Sequence, residues 1–235
     1  RPPAEVEFQD ELAALAAADA HPRPPGWRLS PRMVETYIMG SDAPISGAPI
    51  SAKYVGDRHL IQVAIATLAS DRALMLIGEP GTAQRWLSEH LSAAISDNSA
   101  LIVQGTAGTT EEHIKYSWNV AMVIASGQSK DSMISSPIMT AMINGEMGRF
   151  EELTRCSSDV QDALISILSE KQLAVPELGE IVSPQGSLLE LADLSQTSLT
   201  VEVDVPEARL ERVRTGGPCE IVLDAFPSRH LRGQT

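Results

Sequence analysis

The chain has 235 residues, with 18 Lys and Arg against 31 Asp and Glu, so its formal net charge is −13. That length allows one large domain or two small ones with a real core, and 43% hydrophobic with 21% charged residues excludes a disordered or fibrous chain. The acidic balance, with three residues each of Trp, Tyr and Phe, argues against a dedicated nucleic-acid binder, which needs a basic face. Cys156 and Cys219 are too few for a disulfide framework or a zinc site. The longest apolar runs, such as Ala73 to Ile77, are too short for membrane insertion. No basic-then-apolar segment opens the chain and residue 1 is Arg, so the expectation is a soluble cytoplasmic chain that starts inside a longer reading frame.

In chain order, Ala4 to Ala20 is rich in strong helix formers, and His21 to Gly26 breaks the helix with three prolines. Ser30 and Pro31 form a cap and first turn for a helix that Gly40 should stop. Ser41 to Ser51 reads as loop, and Asp57 to Ser70 as a helix with Leu60, Ile61, Ala64 and Leu68 on one face. Ala73 to Ile77 is an uninterrupted apolar run, the pattern of a strand buried on both faces of a parallel sheet. A helix over Gln84 to Ser96 and a second buried strand at Leu101 to Val103 complete an α/β beginning. Glu111 to Ala141 reads as helix interrupted at Gly127, and Met147 to Phe150 as a third strand. Ser157 or Ser158 caps a helix with Val160, Leu164, Ile167 and Leu168 on its face, followed by a hairpin around Glu177 to Gly179. Beyond Gly186, Leu199, Val201, Val203 and Val205 alternate with polar residues as in a half-exposed strand, and Cys219 to Leu223 reads as another.

Two segments carry chemistry. Gly78-Glu79-Pro80-Gly81-Thr82-Ala83-Gln84-Arg85 lies between the first buried strand and a helix, where glycines let backbone N–H groups curl around phosphate oxygens. Taken alone, it reads equally as a plain glycine turn. A phosphate loop also needs Lys for the phosphates and Ser or Thr for magnesium, whereas this chain has Gln84 and Arg85. A neutral amide supplies no charge and a guanidinium cannot ligate a metal; nor is Arg85 a simple replacement, because one helical residue turns the side chain by about 100°. The second segment is Glu151-Glu152, which reads as a magnesium-side acid followed by a water-orienting acid, or else as two solvated acids beginning a helix. The five histidines show no ligand spacing, His90 reads as a packing residue, and Met133, Met139, Met142 and Met147 read as core filler.

Lys53-Tyr54-Val55-Gly56, Gly78 to Ala83, and Phe150 to Arg155 followed by Val160 to Leu164 together resemble a MoxR-type AAA+ ATPase over roughly Arg1 to Gly186. The resemblance implies a P-loop fold, ATP with Mg2+ as cofactors, and ring assembly as a homo-oligomer that remodels client proteins or helps insert cofactors. By it, Val55 and Gly56 border the adenine, Gly78, Glu79, Pro80, Gly81, Thr82 and Ala83 wrap the phosphates, and Gln84 and Arg85 stand at the Lys and Ser or Thr positions. Glu151 takes the metal side through water and Glu152 is the catalytic residue that polarises water. The pattern departs after Gly186, where no sensor-1 strand ending in Asn is found, and no arginine finger or helical lid is found either. Asp193 is the nearest polar candidate for that strand end. A missing strand between the first and third would leave buried backbone groups unpaired at about 1–3 kcal/mol each.

Leu188 to Gly233 resembles the β-barrel part of an HlyD-type periplasmic adaptor. The expected fold class is α/β: an N-terminal helical extension and linker (1–52), a partial AAA+ αβα core (53–186) and a small β-rich tail (187–235). The leading function is ATP binding and hydrolysis coupled to protein remodelling, impaired in this copy. The alternatives are a non-catalytic interaction scaffold and a chimeric chain whose tail is an adaptor fragment.

Overall fold

A computed structural model describes residues 1–70, 72–78 and 84–183, and the backbone of strands at 190–193, 218–223 and 226–234. Four helices come first: α1 (Ala4–Glu7), α2 (Gln9–Ala18), α3 (Pro31–Met39) and α4 (Arg58–Ala69). The opening helical stretch is split at Phe8, whose backbone leaves helical geometry at φ −113 and ψ 29. Ser30 caps α3 by accepting from the Met33 N–H, with Pro31 in the first turn as its sequence implies.

The central sheet has four parallel strands in the order β1, β8, β5, β2, where β1 is Leu74–Ile77, β2 Ile102–Gln104, β5 Arg149–Glu151 and β8 Glu190–Asp193. Residues of β1 alternate between its faces. Leu74 and Leu76 join a core with Leu87, Leu91 and Ile95 of α5 (Gln84–Ser96), while Met75 packs on a second core. That second core holds Phe150, Ile138 and Met142 of α7 (Pro137–Asn144), and Val160, Leu164 and Ile167 of α8 (Ser158–Glu170). Helices thus cover both faces, the αβα arrangement that uninterrupted apolar strands require.

Three expectations are corrected. The sheet does not stop at Gly186. The strand that seemed missing is β8, which pairs with β1 from Leu74↔Glu190 to Ile77↔Asp193 and with β5 from Arg149↔Glu190 to Glu151↔Ala192. Its insertion pairs inner backbone groups of β1 and β5 that would otherwise be orphaned. The adaptor resemblance beginning at Leu188 therefore has no support in the fold, because its first strand completes this sheet. Beyond it, only the hairpin β9 (Pro218–Leu223) with β10 (Phe226–Gln234) is described; Leu199, Val201, Val203 and Val205 lie outside the described residues.

The second correction concerns Glu111 to Ala141. In place of an interrupted helix there is an antiparallel pair, β3 (Tyr116–Trp118) with β4 (Met133–Ser135), which carries the short helix α6 (Val120–Ser126) between its strands. Gly127 ends α6 at φ 81, and Pro137 can only start a helix, so α7 begins afresh under the Ser136 cap. The third is a shift of register at the third strand, which runs Arg149–Glu151 and so carries the first acid within the sheet. The hairpin of β6 (Leu173–Val175) and β7 (Glu180–Val182) stands where expected.

The N-terminal helices are fastened to α5 by a buried polar cluster. The Lys53 ammonium lies 4.4 Å from the Phe8 ring centroid and 4.5 Å from that of Tyr37, and it donates to Glu11 at 2.5 Å and to the Ser51 carbonyl at 2.7 Å. The Trp86 indole donates to the Lys53 carbonyl at 2.8 Å. His90 is fully buried, shares a 2.9 Å hydrogen bond between its Nδ1 and the Tyr37 hydroxyl, and packs 4.3 Å from the Trp86 ring. Burial first, then the positive charges of Lys53, Arg1 and Arg149, push the His90 imidazole down to about 3.

Two outcomes follow from these contacts. Leu191→Pro removes a backbone donor from the strand paired on both edges and should cost about 1–3 kcal/mol or more, read by chemical denaturation. His90 titrates lower in the folded than in the unfolded chain, so the unfolded state binds the extra proton between the ordinary value of 6.5 and about 3. Stability from this group is therefore complete above that window and lost as pH falls through it. A His90→Gln variant should show a stability slope shallower by about 1.4 kcal/mol per pH unit between roughly pH 6 and 4, with the direction fixed by that linkage.

Candidate functional site

In a parallel sheet with covered faces, the crevice at the carboxyl ends of the strands is where ligands gather. Here those ends are Ile77, Asp193, Glu151 and Gln104, with Asp193 in register with Ile77, and Glu151 with both Ala192 and Gln104. Gly78 is buried at the exit of β1, and α5 starts at Gln84. Glu79, Pro80, Gly81, Thr82 and Ala83 lie outside the described residues.

Alternation along β5 puts Phe150 on one face, in the second core, and Arg149 with Glu151 on the other, toward α5. Both charged side chains are buried, at 6% exposure each. Glu151 Oε1 stands 3.8 Å from Arg149 Nη2, and Oε2 stands 3.3 Å from Nε of Arg85, whose side chain is 72% exposed. Arg149 also donates to the Ser88 hydroxyl at 3.2 Å, which fixes its guanidinium against α5. Burial raises the Glu151 carboxyl above its ordinary value, against the lowering effect of Arg149 and Arg85, while Glu152 and Glu89 add to the rise. On the first turn of α5, the buried Gln84 Nε2 has no hydrogen-bond partner among the described residues.

The second acid is held differently. Glu152 leaves the strand in the left-handed region, at φ 55 and ψ 44, and its carboxylate accepts from Arg155 Nη1. The turn of Leu153–Arg155 brings that guanidinium three residues on, within reach of the acid. Backbone crowding fixes where the turn can be. Gly105 donates its N–H to the Glu151 carbonyl at 2.7 Å, and a Cβ at Gly105 would come 2.5 Å from the Glu152 carbonyl and 2.9 Å from Cys156 Sγ. Only a residue without a side chain lets β2 end this close to the acids.

Of the residues expected to line the site, Gly78, Gln84, Arg85 and Glu151 come together at the strand ends, with Glu152 on the adjoining turn. Val55 and Gly56 lie in the loop between α3 and α4, with Val55 94% exposed. The Trp86 bond to the Lys53 carbonyl tethers the start of that loop to the first turn of α5. Arg149 and Gly105 went unread in the sequence. Arg149 is two residues before Glu151 on a strand and therefore shares its face, a signal that was available. Gly105 carried none beyond following a strand.

A divalent ion at this site would need oxygen donors from Glu151 and from position 85. Both carboxylate oxygens face guanidinium groups instead, and position 85 supplies no oxygen. Among the described residues, no group of three His, Cys, Asp or Glu is placed to hold a metal. The donor set among the described residues suits anionic ligands and does not fit a divalent ion.

Comparison with known proteins gives three findings. Residues 73–205 match the AAA domain of the dynein-related subfamily, a span that runs past Gly186 and includes β8. The uncharacterized protein YehL of Escherichia coli K12 is 44% identical over 178 residues, covering 76% of this chain and 48% of YehL. The chain thus spans about half the length of that curated relative. A solved structure from Cytophaga hutchinsonii, described as a "putative ATPase", is 14% identical with a TM-score of 0.40, covering 88% of this chain and 48% of that one.

Gly105→Ala forces the backbone of Glu151 and Glu152 to move, so it should cost about 1–3 kcal/mol in chemical denaturation although it adds only a methyl group.

Proposed function

Because the chain belongs to the AAA domain family, dynein-related subfamily, whose domains imply nucleotide binding, we propose that it is an ATP-binding remodelling protein of MoxR type with weak turnover. One observation carries this reading. The Arg85 to Glu151 contact, 3.3 Å long, brings the start of the helix after the glycine loop against the acid pair at the strand ends. ATP lies with its phosphates toward Gly78, the glycine loop that follows it and the Gln84 amide, and its adenine toward Val55 and Gly56. Glu152, oriented by its hydrogen bond from Arg155, accepts a proton from the water that attacks the terminal phosphate as the bond from that phosphorus to the ADP oxygen breaks.

Client contact is assigned to the arm formed by β3, α6 and β4. Val120 and Ile124 on α6 and Ile134 on β4 are all more than half exposed, an apolar tip that suits unfolded or extended protein segments. Ring assembly and a cytoplasmic setting belong to the same proposal. Among the described residues, no helix is long and apolar enough to cross a membrane. Gln84 and Arg85, in place of Lys and a hydroxyl residue, favour a second reading, in which the fold serves as a non-catalytic scaffold.

Gln84→Lys combined with Arg85→Thr returns a phosphate cation and a hydroxyl, so ATP binding in magnesium buffer should strengthen about tenfold or more. Calorimetric titration of both proteins checks this. Adding Glu152→Gln to the double variant should then abolish turnover while leaving its affinity in place. A wild-type chain and a double variant that both bind no ATP would sink the ATP reading and favour the scaffold.

A further inference from the structure

We propose that Arg85 is the built-in cation of this site, so that the chain takes a nucleoside triphosphate free of divalent metal. The proposal rests on the ATP reading above and specifies the form of its ligand. Glu151 has two carboxylate oxygens, and both are turned to arginines: Oε2 to Arg85 Nε at 3.3 Å, and Oε1, which accepts no hydrogen bond among the described residues, to Arg149 Nη2 in a 3.8 Å charge contact. The other acids near it are engaged as well. Glu152 accepts from Arg155, and Glu89 pairs with Arg1 and accepts from the Ala4 N–H at 3.1 Å. Each of these three described acids thus faces an arginine, and a dication beside Glu151 would face two guanidinium groups at close range.

What the site offers instead is donors. A guanidinium has five N–H groups in one plane, so an arginine whose Nε side rests against a carboxylate in an ion pair keeps its far edge to fork onto phosphate oxygens. Arg85 is tethered at its Nε end, while its side chain is 72% exposed at the mouth of the crevice. The buried Gln84 Nε2 on the same turn, without a partner among the described residues, is a second donor that suits a phosphate oxygen and repels a cation. Glu151 thereby serves as a positioning residue for Arg85 and not as a metal ligand.

The test compares binding of a fluorescent ATP analogue in excess EDTA and in magnesium chloride. The wild-type chain should bind with affinities that agree within about threefold, a gap of less than 1 kcal/mol. Arg85→Thr, a change at an exposed side chain, should lose about tenfold in EDTA and regain it in magnesium. A wild-type affinity that magnesium raises about tenfold or more overturns the proposal, and so does an Arg85→Thr variant that keeps wild-type affinity in EDTA. If the wild type binds the analogue in neither buffer, the ATP reading fails, and the arginine assignment is decided by electron paramagnetic resonance with Mn2+ on the nucleotide-free proteins. Mn2+ held by Arg85→Thr and not by the wild type upholds it; Mn2+ held by the wild type, or by neither protein, overturns it.

Discussion

A strand buried between two others must have both its edges hydrogen-bonded, and β8 is the strand on which that condition rests here. It separates β1 from β5, so the two lie about 10 Å apart, two strand spacings. That distance is what lets a side chain at the start of α5, which leaves from β1, meet an acid at the end of β5. Were β1 and β5 direct neighbours, Arg85 and Glu151 would be crowded. Without any strand between them, the polar edges of both would face the core unpaired. The site is thus a consequence of sheet order before it is a matter of individual side chains.

Within that frame, two arginines act on Glu151 from opposite environments. Arg149 is buried and held by Ser88, so its charge is weakly screened, whereas Arg85 stands mostly in water. Burial still outweighs both and lifts the carboxyl, which shows how costly desolvation of this acid is. Such a group is poor material for stabilising a fold. Its position is better understood as holding Arg85 at the mouth of the crevice.

Much of the core could be read directly from the sequence. Ala73 to Ile77 is long enough and apolar enough to declare a buried strand, and Ser30 with Pro31 states where a helix starts, whereas the same signal at Ser136 with Pro137 went unread inside a stretch taken as one helix. What escaped were elements too short to show a period. Tyr116–Trp118 and Met133–Ser135 have three residues each, and a three-residue strand cannot display alternation against the helical texture around it. Glu190–Asp193 has only Leu191 and Ala192 between two acids, so nothing local marks it as the centre of a sheet; its pairing is set by its neighbours. For the site, the glycine loop and the acid pair were legible because each is contiguous. The Arg149 and Gly105 contributions depend on strands meeting across the sheet, which no single stretch of chain records.

The position of β8 also bears on how the molecule comes together in time. The slot beside β1 is filled by a segment more than a hundred residues further along the chain, after both of its neighbours have been made. During synthesis the N-terminal helices can close on α5 through local contacts, while the sheet waits with two inner edges open to water and to other strands. Closing it needs a long loop to be ordered before any hydrogen bond repays the entropy, so this step should limit the rate. Until it occurs, the strand ends that form the crevice are not yet in register, and the half-built sheet is the species most exposed to pairing with the wrong partner.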